Sequence, residues 1–257
     1  DFTWDMTWNM TRNRNEVISI ADGVDQINIA GYTNLGNFAI PGQPFGAMQG
    51  SAFVRGPNGG LLVNTAGEYE ATNDIEVIGD PNPNYTANWL STISYKGISL
   101  GWQFSYTDGG DIYSTTTATM LARGLTTDTD FDRFLPLILP GENSEGAENT
   151  VQGYAGDYFF AGYFGADEGS VFDATVVRLR EISLSYSIPA SLLENLPFGS
   201  ISLRIAGENL WYYAPNFPVG VNFDPEVSSL GVGNGRGFDF LTGPTTKKYG
   251  ATISLTF

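Results

Sequence analysis

The sequence predicts an all-β protein, an antiparallel up-and-down sheet that crosses a membrane as part of a β-barrel. Three observations carry this. Apolar and polar residues alternate with a period of two in about six separate runs. Each run is roughly ten residues long, the length a tilted strand needs to cross a bilayer. Short and long connections alternate between the runs. No window approaches the roughly twenty apolar residues of a spanning helix.

The first run sets Phe2, Trp4, Met6, Trp8 and Met10 against Thr3, Asp5, Thr7, Asn9 and Thr11. The second places Trp89, Ile93 and Tyr95 on one side. Only Lys96 and Gly97 separate it from the third, a length that predicts a tight hairpin in which Gly takes positive φ. The third sets Ile98, Leu100, Trp102, Phe104 and Tyr106 against Ser99, Gly101, Gln103 and Ser105. In the fourth, Ile182, Leu184, Tyr186 and Ile188 alternate with Glu181, Ser183, Ser185 and Ser187. A short link opening at Pro189 has room for one helical turn over Ser191–Leu196. The fifth run carries Ile201, Leu203 and Ile205 against Ser202, Arg204 and Ala206. The last carries Tyr249, Ala251, Ile253, Leu255 and Phe257 against Gly250, Thr252, Ser254 and Thr256.

The long connections, 12–88, 107–174 and 214–246, are rich in Gly, Asn, Asp and Pro. In outer-membrane barrels short turns face the periplasm and long loops face outward. On that rule the first strand rises and the last descends, as in an even-numbered meander. Six strands are too few to close a membrane barrel, whose lower limit is about eight. An open sheet leaves edge amides and carbonyls unpaired in lipid, at several kcal/mol each. Other strands are therefore expected to complete the wall.

Aromatic residues make up 14% of the chain, and Trp89, Tyr95, Tyr106, Trp211, Tyr212, Tyr213 and Tyr249 sit near strand ends. Rings placed there suit an interfacial girdle, apolar on one edge and wet on the other. A soluble β-sandwich with aromatics in its core is the competing reading. The net charge is −16, from 12 Lys and Arg against 28 Asp and Glu, which argues against nucleic-acid binding. Most acids fall between strands, as in Glu68–Asp80, Asp128–Asp132 and Glu142–Glu148, and read as solvated loops. The absence of His and Cys excludes Cys/His zinc sites and His-based triads, and is compatible with an oxidising compartment. No signal peptide is visible, so processing or a truncated start is expected of an exported chain.

Several short motifs follow one another along the chain: GDPNPNY at 79–85, GGDIY at 109–113, VRLREISLSYSIP at 177–189 and GENLW at 207–211. NFDPEVS at 222–228, GFDF at 237–240 and PTTKKYGATISLTF at 244–257 complete the set. With the opening FTWDMTWNMTRNRNEVISI at 2–20, this set resembles the carboxy-terminal part of SusC/RagA-like TonB-dependent outer-membrane transporters, over nearly the whole chain. The final alternating strand, ending on Phe257, resembles the closing strand of outer-membrane barrels. One departure is Glu208, where the family usually carries Arg.

The resemblance implies that residues 1–257 supply about the last six strands of a 22-stranded barrel, together with its long extracellular loops. It places the chain in the outer membrane of a Gram-negative bacterium, without the plug or the amino-terminal strands. The implied partners are the remaining barrel and plug segment, a SusD-like surface lipoprotein, the TonB complex and the lipid bilayer. The implied activity is TonB-driven import of a glycan or peptide, with no catalysis and no cofactor. An exported soluble binding module or adhesin, and a passive porin, are the alternatives.

Candidate binding residues follow from position. Asp108, Asp111 and Tyr113 open a long outer loop, where contact with substrate or lid competes with turn chemistry around Gly109–Gly110. Arg178, Arg180 and Arg204 fall on the non-lipid side, lining the lumen and pairing with acids on neighbouring strands. Phe217 and Phe223, with Tyr212 and Tyr213, are candidates to stack on a glycan, although an interfacial belt explains the two tyrosines equally well. Asp128, Asp130 and Asp132 open with calcium-loop spacing, but Arg133 and Leu139 stand where that loop needs Gly and Glu. No metal is predicted. Glu142, Glu145 and Glu148 read as solvated acids rather than paired catalytic carboxylates.

Overall fold

A computed structural model describes residues 2–218, 220–230 and 233–257. Every alternating run is a strand: β1 (Phe2–Thr11), β2 (Tyr85–Tyr95), β3 (Ile98–Asp108), β4 (Val176–Ser187), β5 (Ser200–Tyr213) and β6 (Lys248–Thr256). They form one sheet in chain order, each antiparallel to the next. Consecutive strands thus pair with their neighbours, the simplest topology that hairpin connections allow.

The register explains why the runs alternate. Trp4, Ile93, Leu100, Leu184, Ile205 and Ala251 lie side by side across all six strands. Trp8, Trp89, Phe104, Leu179 and Trp211 form a second row nearer the long connections, where Trp89 stacks on Phe104 with ring centroids 6.0 Å apart. Aromatics recur at both ends, with Phe2, Tyr95 and Tyr186 in register near the short turns, and aliphatics are commoner between, the pattern of the aromatic girdles of membrane barrels. Trp4 satisfies its indole N–H on this apolar face by donating to Ser91 Oγ at 2.7 Å. The opposite face carries mainly Ser, Thr, Asn and Gln.

Among the described residues, none covers the apolar face of β1 or β6. Phe2, Trp4, Met6, Trp8 and Met10 are 57–64% exposed, and Ile253 is 68% exposed. A sandwich would bury these side chains under a second sheet. Here Trp4 and Leu255 stand in the open, so the soluble-sandwich reading does not hold. β1 and β6 each pair on one side only, and the sheet stays open at both edges.

The β2–β3 hairpin turns on Lys96 and Gly97 with φ of 47° and 84°. Both central residues lie in the left-handed region, the requirement of the type I′ turn whose twist matches its strands. The β4–β5 link holds a single 3-10 turn, Ala190–Leu192, shorter than the helical turn expected over Ser191–Leu196.

The long connections are more than loops. They build a folded cap over one end of the wall. It contains a four-stranded antiparallel sheet, Ile27–Gly31, Gly36–Ala39, Ala47–Phe53 and Ala71–Gly79. Two short helices follow, α1 (Thr115–Ala122) and α2 (Ala155–Tyr163). A three-stranded sheet joins Asp111–Ser114 to Val171–Asp173 and, in parallel, to Phe238–Asp239. The hydrophobic clusters lie in the cap. Ile112, Leu121, Phe159, Phe217, Val221, Phe223 and Val227 make one, and Leu35, Met48 and Phe238 make another. The wall has a lipid-type face in place of a core.

One acid-rich segment departs from the solvated reading. Glu142 is buried, and its carboxylate accepts from the backbone N–H groups of Asn58 and Gly60 and from Asn58 Nδ2. A Cβ on Gly56 would stand 2.5 Å from that carboxylate, so the turn at 56–60 is shaped to receive it. Glu145 and Glu148 are exposed, as expected.

Candidate functional site at the rim of the wall

Charged groups gather where the polar face of the wall meets the cap. In β4, simple alternation sends Arg178 and Arg180 to the polar face and Leu179 to the apolar one. The register then slips between Leu179 and Glu181 against both neighbouring strands. This bulge places Arg180 and Glu181 on the same side and returns Ile182, Leu184 and Tyr186 to the apolar face. The facing strand is irregular at the same level, with Asn209 at φ 52°, a conformation Asn tolerates better than most residues. The GENL motif therefore marks a backbone irregularity.

Arg178 is fully buried. It donates through Nη2 to Asp224 Oδ1 and through Nη1 to Thr245 Oγ1 at 2.9 Å. Its guanidinium lies 5.0 Å from the centroid of the Tyr212 ring, and the Tyr212 hydroxyl donates to the Asn222 carbonyl at 2.7 Å. Arg178 Nε is 3.1 Å from Glu226 Oε2, close enough for charge attraction but without the alignment of a hydrogen bond. Arg180 forks onto both oxygens of Glu226 and donates from Nε to Ser105 Oγ at 2.7 Å. Planar guanidinium and carboxylate suit this two-point contact.

Asp224 is as well satisfied as its arginine. Besides Arg178 it accepts from the Thr245 hydroxyl, the Thr245 N–H at 3.2 Å and the Glu226 N–H at 3.1 Å. Burial pushes its carboxyl up, but Thr245, Arg178 and the Glu226 amide outweigh that and hold it below the usual value. Three sequence motifs, VRLREIS, NFDPEVS and PTTKKYG, thus meet in one buried ion cluster.

A second knot ties GDPNPNY to GGDIY. The Asp80 N–H donates to Asp111 Oδ2 at 2.7 Å, and the Asp111 N–H returns to the Asp80 carbonyl at 2.7 Å. The Asn84 side chain donates to Asp108 Oδ2 at 3.1 Å. Burial raises the Asp111 carboxyl, a shift only partly offset by the Asp80 amide and reinforced by the charges of Asp173 and Asp80. Asp239, from GFDF, is buried and accepts from Ser114 Oγ and the Thr116 N–H at the start of α1. A Cβ on Gly237 would meet the Asp111 carbonyl at 2.5 Å, which accounts for glycine there.

These contacts place each candidate residue. Asp108 and Asp111 join the knot between two outer loops. Tyr113 packs between Phe238 and Phe240, with its hydroxyl 3.4 Å from Asp167. Phe217 and Phe223 are buried in the larger cap cluster, ring to ring at 5.0 Å. Arg204 pairs with Glu181 on the neighbouring strand, as expected. Arg178 and Arg180 take their acids from the 222–228 segment rather than from a neighbouring strand, which corrects the expected pairing. Sequence reading missed Asp224, Glu226, Thr245 and Asp239. A signal for the first two was present: Asp224 and Glu226 repeat the two-residue spacing of Arg178 and Arg180.

Wall, cap and motif order define a class. The chain is similar along its whole length to SusC/RagA-like TonB-dependent transporters. In particular, it is 25% identical to TonB-dependent receptor P3 of Formosa agariphila over an alignment of 299 positions, and 22% identical to receptor P26 of that organism over 285. Both alignments take in all of this chain and 27% of the relative, so the chain spans about a quarter of the length of these relatives. The RagAB peptide importer in its closed-closed state superposes with a TM-score of 0.64 at 18% identity, over all of this chain and 28% of that one. A second RagAB peptide transporter structure gives 0.62 at 18% identity, covering 27% of its chain. No family model matches.

Proposed function

We propose that this chain forms part of the wall and outward cap of an outer-membrane transporter that imports a glycan or peptide nutrient with energy relayed by TonB. The observation that carries the reading is the one-layer wall. Its apolar face is uncovered and carries aromatics at both ends, and its two edges await partners. Closure into a 22-stranded barrel with the remaining wall and a plug removes both edges. A SusD-like surface lipoprotein covers the cap side. Catalysis forms no part of the proposal.

Within it, Arg204 and Glu181 face the lumen. The Arg178, Arg180, Asp224 and Glu226 cluster fixes the rim, and Asp108, Asp111, Tyr113, Phe217 and Phe223 keep the cap in the shape that meets cargo. The test is uptake by cells that carry the whole transporter. Accumulation of labelled cargo is expected to stop when TonB is deleted or the proton gradient is collapsed. Uptake that persists under both conditions favours a passive porin.

A further inference from the structure

We propose that the loop between β3 and β4 carries a binding pocket for an apolar side chain of an extended, basic peptide. This rests on the import reading above and deepens it by naming the class of cargo. The loop folds around a cavity of about 470 Å³, within the size range of small-molecule sites. Leu121, Ala155 and Phe159 line it from the buried core of the cap, and Phe131, Leu135 and Leu137 add to its apolar lining. All six come from residues 121–159, so the cavity needs no strand from outside the chain.

Around it Leu125, Phe134, Ile138 and Tyr154 are exposed, Phe134 at 87%. Exposed apolar side chains that rim an apolar cavity mark an interaction site.

The chemistry of the lining selects the ligand. A sugar presents a hydroxyl on nearly every carbon and needs several placed donors and acceptors. This cavity offers the Asp128 carboxylate and the Tyr158 ring with its hydroxyl among otherwise apolar side chains. A Leu, Met or Phe side chain fills such a space. Asp128 is exposed and is the charged residue in the lining, while Asp130, Asp132, Arg123 and Arg133 stand outside it. A Lys or Arg next to the inserted side chain therefore finds an opposite charge.

The whole transporter in detergent, titrated with fluorescent peptides, tests this. The probes are Lys-Leu-Lys-Phe-Lys, its Glu-for-Lys counterpart and Gly-Leu-Gly-Phe-Gly, with maltoheptaose as competitor. Asp128→Lys is expected to weaken the basic peptide about fivefold, the scale of an exposed charge pair made and then reversed, and to weaken the Gly peptide by less. Leu135→Asp, at a half-exposed position, is expected to weaken both about tenfold or more. Unchanged affinity for the basic peptide in both variants overturns the proposal, as does equal binding of the acidic peptide or displacement by maltoheptaose. Intact peptide binding with loss of the lipoprotein on co-purification also overturns it, and assigns the pocket to the lid. TonB-independent uptake sinks the import reading instead, without touching these affinities.

Discussion

Arg178 shows how a charge is made tolerable in this molecule. A guanidinium taken out of water costs several kcal/mol, which only an opposite charge and a full set of acceptors offset. Asp224 and Thr245 supply most of that set. Asp224→Ala is expected to cost about 3 kcal/mol, the low end for a broken buried pair because Glu226 stays nearby. The check is the temperature at which the barrel loses its SDS-resistant, fast-migrating form. The Asp224 carboxyl is held low in the fold, so its contribution is complete above the ordinary carboxyl value of about 3.9 and fades as pH falls below it. Proteolysis within 214–246 should therefore rise in acid for the wild type, while Asp224→Asn should cut readily at neutral pH and change little on acidification. Asp111 has the opposite sign. Its raised value means that the buried carboxylate is a burden at neutral pH. Asp111→Asn keeps an acceptor for the Asp80 amide and is expected to leave the melting point unchanged or slightly raised. Asp111→Ala orphans that amide at about 1–3 kcal/mol. That the arginines lie on the polar face of the wall was legible from alternation alone. Their partners were not, because the acids lie 46 residues further along the chain from each arginine, and only a folded cap brings them back.

Among the elements, strands were read far more completely than the cap, for a physical reason. A wall strand sees two solvents, and a period of two records that difference residue by residue. Even the bulge in β4 leaves a trace, since the apolar phase slips between Leu179 and Ile182. Cap elements are short and packed on several sides. Phe238–Asp239 is a two-residue strand, and Gly36–Ala39 is buried on both faces, so neither repeats long enough to show a period. The acids were misjudged for a related reason: composition cannot distinguish a solvated Glu145 from a Glu142 that caps a turn. The wall makes a sharp prediction of its own. Leu184→Arg puts a charge toward hydrocarbon near mid-strand and is expected to cost about 2–4 kcal/mol, whereas Ser183→Arg, one residue away and on the polar face, is tolerated. The yield of heat-modifiable protein in outer-membrane fractions reads the difference.

The molecule as a whole is two materials joined at a rim. The cap buries a conventional core, and the wall exposes as much apolar surface as it can. A protein that left Phe2, Trp4, Trp8 and Ile253 in water would forgo about 1.5–3 kcal/mol for each, which is why the proposed function puts a bilayer against this face and partner strands on both edges. That demand, more than any single motif, carries the account. Its most direct test uses the absence of cysteine from this sequence. Single cysteines placed in turn at positions 182 to 187 of the assembled transporter, in intact membranes, are treated with a membrane-impermeant maleimide and a lipid-soluble one. The account predicts a strict alternation: positions 183, 185 and 187 react with the water-soluble reagent, and 182, 184 and 186 with the lipid-soluble one alone. Uniform labelling by the water-soluble reagent along the strand would contradict it.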